Sequence, residues 1–152
     1  LRVSKGGAAH WAPFGFITIG DYTFNQPGAR AYWGSRIAIA HELAHYWDFK
    51  ASSWKQRVSG VGDLSSRMCN AVQGEEGPTW YGRTNAFEEW AESVTGYLYP
   101  EYFAVLRAEG DPRENITVDH WAGFKQTLPG LGPFHKAFVA RQFRALNVGV
   151  NK

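Results

Sequence analysis

The order of apolar and polar positions divides the chain into a short β-type opening and a longer helical remainder. Residues 14–24 (FGFITIGDYTF) alternate in part and are rich in β-branched and aromatic types, which predicts a strand. Asn25-Gln26-Pro27-Gly28 predicts a turn. Residues 36–50 (RIAIAHELAHYWDFK) hold good helix formers with no Gly and no Pro, and Ser35 stands where an N-cap is wanted. A loop is expected over 57–62, then a short helix opened by Asp63 that runs to about Gln73 and stops at Gly74. The second strong helix is 85–99, capped by Asn85 and ended by Pro100. Its stripe of Phe87, Ala91, Val94 and Leu98 marks the core side. Further helices are expected over 118–127 and 134–147, on either side of Pro129-Gly130-Leu131-Gly132-Pro133. A few strands followed by mostly helix is an α+β arrangement.

Composition narrows the picture. A length of 152 residues fits one domain, 1–152. With 44% hydrophobic and 20% charged residues, the chain is not disordered. Ten Phe, seven Trp and seven Tyr supply a sizeable core, and the tryptophans follow no stacking-platform motif, so they are expected in the core or lining a cleft. The charge of +2 is scattered, which argues against a nucleic-acid surface despite a pI near 8.8. The single cysteine, Cys69, excludes an internal disulfide and a cysteine zinc knuckle, and is expected as a small buried hydrophobe. No apolar stretch reaches the roughly 18 residues of a membrane span. The chain opens on Leu1-Arg2-Val3, without Met or a signal-like segment, and reads as a mature or excised fragment.

Chemistry concentrates at His41-Glu42-Leu43-Ala44-His45, an H-E-x-x-H on a predicted helix. Residues four apart on a helix stack about 5–6 Å from each other, so both imidazoles can reach one ion. Glu42 is turned about 100° from His41, beside a metal position rather than at it, where a base for a water belongs. Apolar neighbours Ile37, Ala38, Ile39, Ala40 and Leu43 would keep such a site partly dry. Two histidines do not hold a catalytic zinc, so a third protein ligand is required. The run Tyr46-Trp47-Asp48-Phe49-Lys50-Ala51 after His45 lacks the extended metzincin motif. Candidates further on are Asp63, Glu75, Glu76, Glu88, Glu89, Glu92, His120 and His135. At 100° per residue, Glu88 lies at the edge of the apolar stripe, Glu92 follows one turn on, and Glu89 faces solvent. This favours Glu88 as ligand. It gives Glu92 the role of accepting the free N–H of a ligand histidine, His41 by preference. A zinc-containing binding or structural module without hydrolysis is the alternative, with His120 or His135 closing the site, but Glu42 has no use there.

An H-E-x-x-H followed by a downstream helical Glu is the gluzincin pattern. The stretch Tyr81-Gly82-Arg83-Thr84-Asn85-Ala86-Phe87-Glu88-Glu89-Trp90-Ala91-Glu92 resembles the matching segment in the group of zinc metallopeptidases that includes the catalytic domain of anthrax lethal factor, the Pro-Pro endopeptidases and the minigluzincins. The resemblance covers about residues 36–98. It implies His41, His45 and Glu88 as zinc ligands, Glu42 as general base for a zinc-activated water, and Tyr81 as a second catalytic group. Asp48 has a counterpart in that group and joins Glu92 as a supporting residue. The resemblance further implies endopeptidase activity and a zincin-like fold, with a small mixed β-sheet and the active-site helix above a mainly helical C-terminal half, divided near residue 47. A protein or peptide substrate would lie extended in the cleft between, aided by an exposed edge of the 14–24 strand. It also implies secretion, and other domains of a longer chain as partners. Ala86-Phe87 and Glu89-Trp90 depart from the lethal factor sequence without touching an expected ligand.

Overall fold

The computed structural model describes residues 2–4, 10–12, 16–20, 29–59, 62–72, 74–79, 81–101 and 130–150. The helix expected over 118–127, with His120 and the Asn115-Ile116-Thr117 glycosylation pattern, lies outside the described residues.

The α+β expectation does not hold, because the described residues are mostly helical. Among the described residues strand is confined to β1 (Arg2–Ser4), β2 (His10–Ala12) and β3 (Phe16–Gly20), of three, three and five residues. Strands of this length are too short to build a layer of their own. β3 lies between the other two, parallel to β1 (Val3 opposite Ile19) and antiparallel to β2 (Trp11 opposite Ile17). Its edges are each paired over three residues, Thr18–Gly20 by β1 and Phe16–Thr18 by β2.

Helix α1 spans Ala29–Ala51, beginning seven residues before the expected start. Residues 29–33 (ARAYW) contain no helix breaker, and a single Gly34 costs only about 1 kcal/mol, so Ser35 sits inside the helix instead of capping it. The run expected as loop opens with α2, Trp54–Ser59. Its signal is a capping box: the Ser53 N–H donates to Gln56 Oε1 (2.8 Å) while Ser53 Oγ faces the Gln56 N–H (3.4 Å). Arg57 donates to the carbonyls of Phe49 and Ser52 at 2.9 and 3.0 Å, closing the C-terminus of α1.

Helix α3 is Asp63–Ala71. Its own N-cap, Gly62, has no side chain to offer, and Asp48 of α1 takes that role. Asp48 Oδ1 accepts from the N–H of Leu64 (2.6 Å) and Ser65 (3.3 Å), and Oδ2 accepts from Ser65 Oγ (2.6 Å). Burial pushes the Asp48 carboxyl up, and these hydrogen bonds offset it only in part. A Cβ at position 62 would overlap that carboxylate, so only glycine fits.

Helix α4 is Ala86–Leu98, with Asn85 Oδ1 accepting from the N–H of Phe87 and Glu88 at 3.0 and 3.1 Å. Its burial is wider than the expected stripe: residues 90–96 are all buried, while Leu98 is exposed. Trp90 is fully buried and its Nε1 donates to the carbonyl of Ala44 (2.9 Å), tying α4 to α1. Ala44, Leu64, Met68, Val72, Ala91 and Val94 pack around it with Phe138 and Val139 of α5, Pro133–Val150. Trp47 meets Trp90 edge-on at 5.3 Å. Trp54 departs from the core expectation and stands exposed on α2.

Docking of α5 explains two further corrections. Glu89, expected in solvent, is turned toward α5, where Glu89 Oε1 pairs with His135 Nε2 (2.8 Å). Cys69, expected buried, is exposed, because it lies off the buried Leu64–Ser65–Met68 face of α3, and its thiol donates to Glu89 Oε2 (3.2 Å). Burial and the Glu89 carboxylate push that thiol up to about 11. His135 is fully buried and also binds Glu75 Oε2 through Nδ1 (2.8 Å), while Glu75 accepts from the N–H of Phe134 and His135.

Burial alone would lower the His135 pKa, but the two carboxylates raise it above its usual 6.5. Burial likewise opposes ionisation of Glu75, and the hydrogen bonds from α5 lower it below 4.5. A raised cation stabilises below its unfolded value and loses that contribution as pH rises through the folded one. A lowered carboxyl stabilises above its unfolded value and loses it as pH falls. The strut is therefore strongest between about 4.5 and 6.5. The melting-temperature gap between wild type and His135→Gln should be widest between about pH 4.5 and 6.5 and narrow as pH rises through the raised pKa of His135; a gap independent of pH would contradict the charged strut.

Candidate metal centre

The packing of α4 across α1 brings three side chains from two helices to one point. His41 and His45 sit one turn apart on α1, and Glu88 enters from the first turn of α4, held there by the Asn85 cap. His41 Nε2 lies 2.9 Å from Glu88 Oε2, His45 Nε2 lies 3.3 Å from the same oxygen, and the two nitrogens are 3.0 Å apart. The imidazole rings meet edge-on, 4.6 Å between centroids.

Hydrogen bonding behind the cluster fixes which atoms carry protons. His41 Nδ1 lies 2.8 Å from Glu92 Oε1, and Glu92 is fully buried. A carboxylate accepts, so Nδ1 of neutral His41 bears the proton and Nε2 presents a lone pair. At most one proton, on His45 Nε2, then lies among the three atoms, and in the other tautomer of His45 all three present lone pairs. Glu88 Oε2 has the distances of an ion pair but no hydrogen bond, and it is the one buried side-chain polar atom among the described residues without a partner. Burial works against its ionisation, and only when the imidazoles of His41 and His45 are protonated toward it do their hydrogen bonds and charge outweigh burial and bring Glu88 down to about 2.

These three atoms can hold a metal ion. A tetrahedral ion with bonds of about 2.0–2.1 Å spaces its ligand atoms about 3.3 Å apart, close to the separations found. Among the described residues no fourth ligating side chain joins the group. His135, considered as a closing ligand, is committed to Glu75 and Glu89.

Glu42 is buried at 8% exposure, and no described residue engages its carboxylate. Tyr81 sits on a single 3₁₀ turn, Tyr81–Arg83, its ring 5.7 Å from that of His41. Asp48 spends its oxygens on the N-terminus of α3, and its charge also acts on His45, one turn away on α1. One residue that sequence reasoning passed over does belong here: Thr79, buried, donates to Glu92 Oε2 (2.8 Å). A lone threonine in a loop carries no periodic or spacing signal.

Comparison with protein-family models, with curated proteins and with solved structures gives no match to the chain. Its chemistry is therefore argued from the geometry.

Proposed function

We propose that the chain is a zinc-dependent endopeptidase of the gluzincin kind, with His41, His45 and Glu88 as ligands. One observation carries this reading: three potential ligand atoms converge at metal-ligand spacing with at most one proton among them, and Glu88 Oε2 is left without a hydrogen-bond partner among the described residues. The cost of such an arrangement, of order 1–3 kcal/mol for the unsatisfied atom alone, is removed when a cation joins it. Two neutral imidazoles and one carboxylate are the donor set of a catalytic zinc. The chemistry such an ion supplies when bound is Lewis acidity at a carbonyl oxygen and an acidified water.

The chain's own groups do the rest. Glu42 takes the proton of the attacking water and returns it to the leaving amine. No described residue bonds to its carboxylate, so both oxygens are available for that transfer among the described residues. Glu92 holds the tautomer of His41. Tyr81 donates a hydrogen bond to the oxyanion as it develops.

Tyr81→Phe is expected to lower kcat by about 10²–10³-fold with zinc content intact. An unchanged rate measured on a cleaved peptide would return Tyr81 to packing on α4. The activity itself is tested by digesting a peptide library with and without chelator, read by mass spectrometry. Cleavage that vanishes with chelator and returns with zinc supports the reading, and its absence from the zinc-loaded chain contradicts it.

A further inference from the structure

Beside the metal centre two buried groups have no part in the chemistry above: the hydroxyl of Thr79 and the backbone N–H of Gly82. They form a chain of hydrogen bonds whose direction is dictated at one end. A backbone N–H can only donate, and that of Gly82 donates to Thr79 Oγ1 at 2.9 Å. The single proton of the Thr79 hydroxyl therefore goes to Glu92 Oε2, 2.8 Å away. Oε1 of the same carboxylate then receives the Nδ1 proton of His41 at 2.8 Å. Every partner of this chain is buried, and a Cβ at Gly82 would come within 3.2 Å of Thr79 Oγ1 and 3.3 Å of Glu92 Cβ, so the turn lies close against the pair.

We infer that Thr79 is a positioning residue of the metal centre. It sets the direction of the Glu92 carboxylate and, through it, holds His41 with Nε2 bare and aimed at the ligand cluster. Its second bond ties the turn carrying Tyr81 to the same carboxylate. The ligand helix α1, the helix α4 and the Tyr81 turn thus share one polar joint. Threonine suits it better than serine because β-branching restricts χ1. The inference rests on reading the cluster as a zinc site.

The test compares Thr79→Val, which keeps the shape and removes the hydroxyl, with Thr79→Ser, which keeps the hydroxyl. Zinc affinity is measured by competition with a chromophoric chelator. Thr79→Val should bind zinc about 10–100-fold more weakly, the range found when a partner of a ligand histidine is lost. Its kcat should fall with KM unchanged, and Thr79→Ser should restore most of both. A Thr79→Val protein with wild-type zinc affinity and kcat overturns the inference, even if it melts earlier. Should Thr79→Val lose its helical circular dichroism, the imidazole ¹⁵N spectrum of the metal-free wild type decides. Neutral His41 protonated on Nδ1 supports the joint, and protonation on Nε2 overturns it. If the wild type takes up no zinc, the zinc reading fails, and that same spectrum still judges the joint.

Discussion

Glu42→Gln is expected to retain one zinc per chain and to lose peptide hydrolysis by at least the roughly 10²–10⁴-fold associated with a general base. The substitution is isosteric, and no described residue bonds to the Glu42 carboxylate, so nothing in the fold is broken by making it neutral. What goes is the ability to take a proton. Since Glu42 lies next to His41 on α1 and outside the cluster of three ligand atoms, the metal has no reason to leave. Metal analysis and a peptide assay on one sample separate the two effects. Full activity would remove Glu42 from the mechanism, and loss of zinc would make it a structural member of the site.

The second large effect is at Glu88. Glu88→Ala leaves two imidazoles on one helix, fewer than the three protein ligands of a catalytic zinc. Zinc affinity should fall by more than the 10–100-fold that outer partners command, and hydrolysis should disappear with it. Glu88→Gln is the sharper control, because it keeps the volume and the Asn85 cap while exchanging a carboxylate for a neutral amide. Equilibrium dialysis of both variants with zinc gives the answer. Stoichiometric zinc at unchanged affinity in Glu88→Ala would place the third ligand elsewhere.

How far the sequence could be read depended on the range of each interaction. The adjacency of His41 and His45 is a property of one helix, so the H-E-x-x-H spacing alone puts both rings on one face. The Asn85 cap and the end of α4 near Pro100 are equally local. Orientation around α4 was readable only in part. The stripe argument separates Glu88 from Glu89 by about 100°, but it has no knowledge of α5, whose His135 arrives from 46 residues away. Hence Glu89 is found against His135, Cys69 lies beside it on the surface, and the buried face is wider than the stripe. The early start of α1 was hidden by Gly34-Ser35, which looks like a boundary although a single glycine costs only about 1 kcal/mol inside a helix. The fold class failed for a related reason. A β-type pattern in the opening was weighted heavily, while the described strands are of three, three and five residues beside long helices. Thr79 and the long-range cap by Asp48 are contacts between distant segments made by single polar residues, which leave no pattern along the chain.

The central claim is that one ion is held by two imidazoles and one carboxylate with a position left open. Zinc K-edge X-ray absorption of the loaded wild-type chain tests it directly. The account predicts a shell of nitrogen and oxygen only, at about 2.0–2.1 Å, with the outer scattering of two imidazoles. A shell with a third imidazole, a sulfur at about 2.3 Å, or no stoichiometric zinc at all would contradict it.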